Sequence, residues 1–457
     1  MIQPERIHPL NDDSPRPNGT YILYWMQASQ RSIYNHALEY AADLANKQRL
    51  PLFVIFGLTG NYPEANIRHY QFMVEGLRDV RDHLAERGIH FRVYSGSPDE
   101  VALATAERAR IVVVDRGYLH HQKLWRKEVS EYAGCQVIQV ESDVLVPTTM
   151  ASTKEEFAAR TLRPKIHREM KKFIAPVTER ELLVKSGIDH IEEGLNLDDP
   201  HLLDQFDLDR SISPVREFTG GQTEAERRLQ LFIETKLTNY GTGRNDITAT
   251  NTTELSPYLH FGHISPLRIL IQLIANASPS DENVAVLIEE LIVRRELAIN
   301  FVEQNEQYDS YKSLPEWSIK TLDKHREDTR DFLYTAEQLE GAQTHDQYWN
   351  AAMNEMKLRG MMKGYMRMYW GKKVIEWSPS PEVAYETLLY LNNKYFLDGR
   401  DPNSYANVAW IFGKHDRPWG ERPVFGTVRY MNANGLKRKF DIEAYVQWVE
   451  SLSDGAE

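Results

Sequence analysis

The chain has 457 residues, of which 42% are hydrophobic and 26% are charged, and its formal net charge is −12. This composition is typical of a soluble globular protein with two or three domains. No apolar run reaches the roughly 18 residues that a membrane-spanning helix needs. The single cysteine, Cys135, excludes intrachain disulfides and cysteine metal clusters. We therefore expect a metal-free cytoplasmic protein that does not bind membranes, with a nuclear location left open.

The first 150 residues alternate between short apolar runs and amphipathic stretches. The opening "MIQPERIHPLNDDSPRPNGT" is polar and proline-rich and has no apolar signal-peptide core, which predicts a disordered leader. Parallel βαβ units are predicted next, because runs that suit buried strands are separated by helical patterns. No G-x-G-x-x-G follows the first run, so the common dinucleotide fingerprint is absent. The predicted strands lie at Thr20–Met26, Pro51–Leu58, His90–Gly96, Arg110–Gly117 and Cys135–Pro147.

The pattern changes near Ala151. Residues 176–215 are acidic, contain proline and lack periodicity, which predicts an exposed interdomain linker. Beyond them the hydrophobic period is mostly 3.6, which predicts helices. The expected fold class is α/β + all-α, with a Rossmann-like parallel-sheet domain at 1–175 and a helical domain at 216–457.

One polar segment, "NYGTGRNDITATNTTELSPYLHFGHISP", suggests a binding site. Thr252, Thr253 and Ser256 stand just before a helix that is predicted to begin near Pro257. Hydroxyls and amides at a helix N-terminus favour an anion. A capped helix after a polar loop is the simpler alternative.

Within that segment, "TTELSPY" resembles the flavin-phosphate loop of the photolyase/cryptochrome family. The segments at Glu289–Asn305, Met361–Trp377 and Tyr390–Asp441 are similar to class II cyclobutane pyrimidine dimer photolyases, and "FAARTLRPKI" and the N-terminal half are similar too. The resemblance implies a carbon–carbon lyase, expected as a monomer, that repairs these dimers in UV-damaged double- or single-stranded DNA. Reduced FAD (FADH⁻) would absorb blue light and donate an electron to the flipped-out dimer. An antenna chromophore, a deazaflavin or a folate, is left open.

The same resemblance assigns roles around the cofactor and the dimer. Arg367 would offset charge on the flavin and pair with Asp398, and Asn392 would face flavin N5, with a helix C-cap as its alternative. Glu290 would bind the dimer, although its neighbour Glu289 has an equal claim on periodicity and a solvated charge is the simpler reading. The full cofactor set is Tyr240, Thr252, Thr253, Leu255, Ser256, Arg367, Asn392, Asp398 and Asp401, and Met368 and Trp410 would line the dimer cavity. Two residues depart from the family pattern: Arg294, where some members have tryptophan, and Lys363, where relatives often have histidine.

DNA binding needs local positive charge, which the acidic chain as a whole lacks. The segment Phe412–Phe440 has seven basic and two acidic residues, with Trp419 and Tyr430 among them. Such a run suits phosphate contacts and base stacking, but it also suits a solvated face. The resemblance places Arg417, Trp419 and Arg429 in a loop that enters the space left by the dimer. Arg244 and Lys437 are further DNA-contact candidates.

Three tryptophans, Trp349, Trp370 and Trp377, match the electron relay of the class, with Tyr334 as a possible extension and the order left open. Plain core packing is their alternative. For the whole protein the alternatives are a cryptochrome-like blue-light photoreceptor, a (6-4) photolyase, and a nucleotide-binding α/β protein with a helical interaction domain. The segment "MMKGYMRM" lacks the histidine that (6-4) chemistry is expected to use.

Overall fold

The computed structural model describes residues 2–185, 188, 191–278 and 281–454. Its N-terminal part forms a six-stranded sheet in the order β1-β6-β5-β2-β3-β4. Strands β2 to β6 are parallel and match the five predicted runs. Strands β2, β3, β5 and β6 are almost entirely buried, as suits apolar strands covered on both faces, whereas the edge strand β4 alternates between buried and partly exposed residues. The strands are β1 (Ile7–Pro9), β2 (Tyr21–Trp25), β3 (Leu52–Leu58), β4 (His90–Ser95), β5 (Ala109–Asp115) and β6 (Gln136–Val140).

The N-terminal segment is not a disordered leader, and that prediction is wrong. Strand β1 pairs antiparallel with β6 at the edge of the sheet. Arg6 is fully buried and donates to the backbone carbonyls of Glu141, Val144 and Leu145 at 3.1, 3.0 and 2.6 Å. The composition of this segment did not predict an ordered strand, because the hydrogen bonds that hold it join residues about 140 positions apart.

Six helices accompany the sheet. The polar stretch that follows them was predicted to be an exposed linker, and this is wrong for several of its leucines. Leu197, Leu202 and Leu208 are buried in the hydrophobic core on one face of the sheet. Residues 186–187 and 189–190 of that stretch lie outside the described part of the chain. The helices are α1 (His36–Gln48), α2 (Ile67–Glu86), α3 (Pro98–Ala106), α4 (His120–Tyr132), α5 (Thr148–Ala151) and α6 (Ala159–Phe173).

The rest of the chain is helical, so the predicted fold class is confirmed. One π-helical turn, Glu289–Arg294, joins two helices without a break. Among the described residues, no helix combines the length and apolarity that crossing a bilayer requires. The helices are α7 (Gln222–Thr235), α8 (Tyr240–Gly243), α9 (Ser256–His260), α10 (Pro266–Asn276), α11 (Glu282–Ile288), α12 (Arg295–Gln304), α13 (Glu316–Lys324), α14 (Ala336–Glu340), α15 (Gln347–Arg359), α16 (Gly364–Trp377), α17 (Pro381–Tyr395), α18 (Pro402–Ile411), α19 (Ala433–Lys439) and α20 (Ile442–Asp454).

Buried polar contacts hold the helical part against the sheet. Arg31 donates to Asp143 at 2.7 Å and to the carbonyl of Gly262 at 2.9 Å. Glu296 on α12 accepts from the amides of Leu145 and Val146 at 2.6 and 3.3 Å. Because buried polar groups are costly when unpaired, these bonds fix how the two parts meet.

Candidate functional site

The predicted anion-binding segment forms a loop between α8 and α9. Tyr240 is buried with its ring centroid 5.5 Å from that of Phe232, and burial raises the pKa of its phenol. Thr252, Thr253 and Ser256 are half-buried, and the amide of Leu255 donates to Thr253 Oγ1 at 3.4 Å. The helix predicted near Pro257 begins at Ser256 and has five residues.

A charged cluster that the sequence did not reveal supports this loop. Glu254 lies in it with a φ of +54°, a conformation that L-residues rarely adopt. The Glu254 carboxylate lies 3.1 Å from Arg359 and 3.5 Å from Arg228. Lys363 Nζ donates to the carbonyl of Ala249 in the same loop at 2.6 Å. The only sequence signal for this cluster was the departure from the family pattern at Lys363.

Arg367 and Asp398 are brought together as predicted. Arg367 Nη2 lies 3.7 Å from Asp398 Oδ1, and the guanidinium stands 3.8 Å from the centroid of the Phe396 ring. Arg367 Nε and Asp398 Oδ1 are buried and have no hydrogen-bond partner among the described residues. This arrangement leaves a donor and an acceptor free for a polar group.

Asn392 and Asp401 lie on the two helices that flank Asp398. Asn392 is buried inside α17, and its side-chain amide donates to Asn393 Oδ1 at 3.0 Å. The alternative of a helix C-cap is therefore wrong for Asn392, because Phe396 is the cap. Asp401 caps the N-terminus of α18 and lies 3.3 Å from His260 Nδ1.

The π-helical turn separates the two neighbouring glutamates. Glu289 accepts from Arg163 at 2.7 and 2.8 Å and from Arg294 at 3.1 Å. Glu290 pairs instead with Arg244 at 2.6 Å, and its side chain is 43% exposed. A π-turn changes which residues share a helix face, and such turns are frequent at functional sites. Glu289 is thus engaged in structural pairing, whereas Glu290 faces the side of the loop that carries Arg244.

Trp410 is half-buried near the end of α18. The guanidinium of Arg294 lies 5.7 Å from the centroid of its ring, within the range of a cation–π contact. The chain therefore has a cation beside this ring at the position where some relatives have a second aromatic residue. Met368 is half-buried on α16 and packs against the main helical core.

Three of the residues predicted to contact DNA lie together in one loop. Trp419 is 43% exposed, and the guanidiniums of Arg417 and Arg429 lie 5.6 and 5.2 Å from its ring centroid. The Trp419 amide donates to the carbonyl of Thr427 at 2.8 Å, which closes the loop. Lys437 lies apart from this group, because its ammonium stands 5.3 Å from the ring of Tyr348 on α15.

The three tryptophans are buried and form a connected series. Trp349 Nε1 donates to the carbonyl of Trp370 at 2.9 Å, and the Trp349 and Trp377 ring centroids are 5.7 Å apart. The Tyr334 ring lies 5.4 Å from that of Trp377 and is half-exposed. These contacts run from Trp370 through Trp349 and Trp377 to Tyr334.

A cavity opens at the carboxyl ends of β2 and β5, where the order of the parallel strands reverses. Its lining includes Gln27 after β2, Tyr118 after β5, Trp125 on α4 and Arg400 from the helical part. Both polar atoms of the Gln27 amide and Arg400 Nε are buried without a hydrogen-bond partner among the described residues. The sequence analysis did not name these residues, although ligands favour the point of reversal in doubly wound sheets.

The fold is shared with photolyases and cryptochromes. A bacterial class III photolyase from Agrobacterium tumefaciens superposes with a TM-score of 0.74 at 17% identity, covering 95% of this chain and 87% of that one. An archaeal photolyase from Sulfolobus tokodaii, solved with two FAD molecules, superposes with a TM-score of 0.70 at 18% identity, covering 95% and 91%.

Sequence comparison identifies the family. The DNA photolyase family model matches residues 22–181. A deoxyribodipyrimidine photo-lyase of Methanothermobacter thermautotrophicus is 48% identical over 99% of this chain and 100% of the relative. The chain belongs to the DNA photolyase family. By contrast, a (6-4)DNA photolyase of Arabidopsis thaliana is 26% identical over 56% of this chain and 50% of the relative.

Proposed function

We propose that this protein repairs cyclobutane pyrimidine dimers in DNA by light-driven electron transfer from reduced FAD. The observation that carries the proposal is the 48% identity, over nearly the whole chain, to a deoxyribodipyrimidine photo-lyase. The geometry supports it, because the side chains gather into groups suited to a charged cofactor, an extruded base and an electron path.

The residues fit FAD at both ends of the cofactor. The loop from Thr252 to Ser256 would hold the phosphates through hydroxyls and amides. Arg367 and Asp398 would hold the ring, and their unpaired buried atoms support this fit because each costs about 1–3 kcal/mol when unsatisfied. Bound and reduced, FAD supplies the electron for repair. The Arg367 guanidinium would offset the negative charge of the ring, and the Asn392 amide can either donate to or accept from a ring nitrogen.

The dimer would enter beside Glu290 and Trp410. Moving a base out of the duplex costs about a few kcal/mol of free energy, and the cost is lower when damage has already distorted the duplex. Glu290 would accept from the base amides, and the flat ring of Trp410 would form an apolar wall, with Met368 as a soft, polarisable contact. Arg294, seated by Trp410, would add positive charge near the DNA backbone.

Trp419 and its two arginines would fill the gap in the duplex. The exposed indole can stack on the unpaired bases, while Arg417 and Arg429 neutralise phosphates. Arg244 would contact a further phosphate once a dimer competes for its partner Glu290. Lys437 is set apart from this loop and would make at most a peripheral contact.

Trp370, Trp349 and Trp377 would carry electrons from the surface to the flavin. Trp377 would be the tryptophan at the surface end of the path, because its ring contacts the partly exposed Tyr334. Trp370 would be at the flavin end, because it lies one turn after Arg367 on α16. The Trp349 and Trp377 rings are in contact, so an electron could move between them in one short step, and Trp349 meets Trp370 through the hydrogen bond to its carbonyl.

The cavity at the carboxyl ends of β2 and β5 would hold an antenna chromophore. Aromatic rings such as Trp125 suit a planar ligand, and the unpaired amide of Gln27 supplies hydrogen bonds. A deazaflavin and a folate both have a planar ring system and polar groups that could form these contacts. Reconstitution with each, followed by excitation of the bound chromophore, tests whether light absorbed here increases repair.

One experiment separates the candidate functions. The purified protein should show a flavin absorption spectrum and, under blue light, restore the bases in a dimer-containing oligonucleotide, with a dark sample as control. Absence of both flavin and repair would overturn the proposal. Flavin without repair would favour a photoreceptor, and repair of only a (6-4) photoproduct would favour that activity instead.

A further inference from the structure

Lys363 stands where the family pattern often has histidine, directly before helix α16. We propose that Lys363 is a positioning residue that fastens the loop 244–255 to the start of α16 and thereby slows the release of FAD at its phosphate end. This inference rests on the proposed flavin site, because the loop matters for cofactor retention only if it holds the phosphates.

The contacts of Lys363 join three parts of the helical region. Its ammonium donates to the carbonyl of Ala249 at 2.6 Å, within the loop. Its backbone amide donates to Glu355 Oε2 on α15 at 3.2 Å. The residue itself is the N-cap of α16, the helix that carries Arg367. The loop is therefore tied through one side chain to the helix that would face the flavin ring.

The loop depends on such side-chain ties. Within the described part of the chain, the backbone groups between residues 247 and 254 bond to side chains: the amide of Thr248 donates to Asp246 at 2.9 Å, and the carbonyl of Ala249 accepts from Lys363. The strained Glu254 is held by its carboxylate contacts with Arg359 and Arg228. A segment without a backbone hydrogen-bond ladder opens at low free-energy cost. Loss of one charged donor should therefore change the opening of this loop markedly.

The C-terminal helix α20 shields this tie from water. The ring centroid of Trp448 lies 5.5 Å from Lys363 Nζ and 5.3 Å from the guanidinium of Arg359. The hydroxyl of Tyr445 on the same helix donates to Glu355 at 2.6 Å. Burial lowers the pKa of Lys363, which agrees with a site of low water content. Hydrogen bonds in such a site are stronger than those in water.

The length of the side chain matters for this role. Imidazole is shorter than the lysine side chain, so a histidine on the same backbone would leave the Ala249 carbonyl without this donor. Arginine can reach the carbonyl and keeps the charge. Three substitutions therefore separate the effects of side-chain length and charge from the effect of side-chain volume: Lys363→Met, Lys363→His and Lys363→Arg. The control is Lys47→Met, which removes a lysine charge at an exposed position on α1, far from the loop.

FAD release from each purified flavin-bound variant is followed by the rise of free-flavin fluorescence after dilution. Lys363→Met is expected to release FAD about 10- to 100-fold faster, the range expected for loss of one charge-assisted hydrogen bond. Lys363→His should resemble it, whereas Lys363→Arg and Lys47→Met should stay near the wild-type rate. Hydrogen exchange should increase at residues 247–253 in Lys363→Met but not in the sheet.

Each outcome decides the matter. Wild-type release and exchange in Lys363→Met would overturn this inference while leaving the flavin proposal intact. Normal FAD retention with weakened dimer binding would also overturn it, because Lys363 would then act on the substrate side. A wild-type protein that binds no FAD would overturn the proposed function itself.

Discussion

Glu290→Ala should weaken recognition of the dimer without weakening the fold. The Glu290 carboxylate is 43% exposed and pairs with Arg244 at 2.6 Å. Solvent screens a pair this exposed, so it contributes about 0–1 kcal/mol to stability. A hydrogen bond that a charged carboxylate accepts from an extruded base is worth about 1.5–3 kcal/mol. The Kd for a dimer-containing duplex should therefore rise about 10- to 100-fold, while the melting temperature and the flavin content stay nearly constant.

The neighbouring substitution Glu289→Ala is the matched control. Glu289 is 25% exposed and accepts from both Arg163 and Arg294, so its loss should lower thermal stability more than loss of Glu290 does. Fluorescence anisotropy with damaged and undamaged duplexes measures affinity, and thermal unfolding measures stability. If Glu289→Ala loses dimer affinity at an unchanged melting temperature while Glu290→Ala binds normally, the assignment of Glu290 is refuted.

Three further substitutions test other parts of the molecule. Trp370→Phe should block photoreduction of the flavin yet spare repair by chemically pre-reduced enzyme; normal photoreduction would contradict the relay. Gly262→Ala should lower the free energy of unfolding by at least about 2 kcal/mol, because Gly262 has a φ of +71° and an added Cβ would lie 1.8 Å from the Ala28 carbonyl oxygen; an unchanged urea midpoint would show that the interface can adjust. Burial lowers the pKa of His263 to about 3, and its Nδ1 accepts from the Gly221 amide at 3.0 Å, so stability should be full above pH 6.5 and fall as the pH drops toward 3. His263→Phe should flatten that fall in urea titrations, and an equal slope in both proteins would exclude this histidine as its cause.

The secondary structure was largely predictable because its signals are local. The five buried runs became the parallel strands, and the helical periodicity after residue 216 became helices. The N-terminal strand was missed because its order depends on pairing with β6 and on the burial of Arg6. The leucines after residue 195 were missed for a similar reason, since only the sheet domain offers them a surface to cover.

The amino-acid sequence by itself determined the strands, the helices and the residue types of the candidate site: hydroxyls in one loop, an arginine, an aspartate and three tryptophans. Residue spacing and motif carry that information without reference to the rest of the chain. Only the tertiary structure decided that Glu289 is held by Arg163 and Arg294, whereas the more exposed Glu290 pairs with Arg244. It also placed Trp349 in contact with both Trp370 and Trp377 and gave Lys363 a partner in a loop 114 residues away. These contacts join residues that are far apart in the sequence, so they exist only once the chain has packed into its tertiary structure.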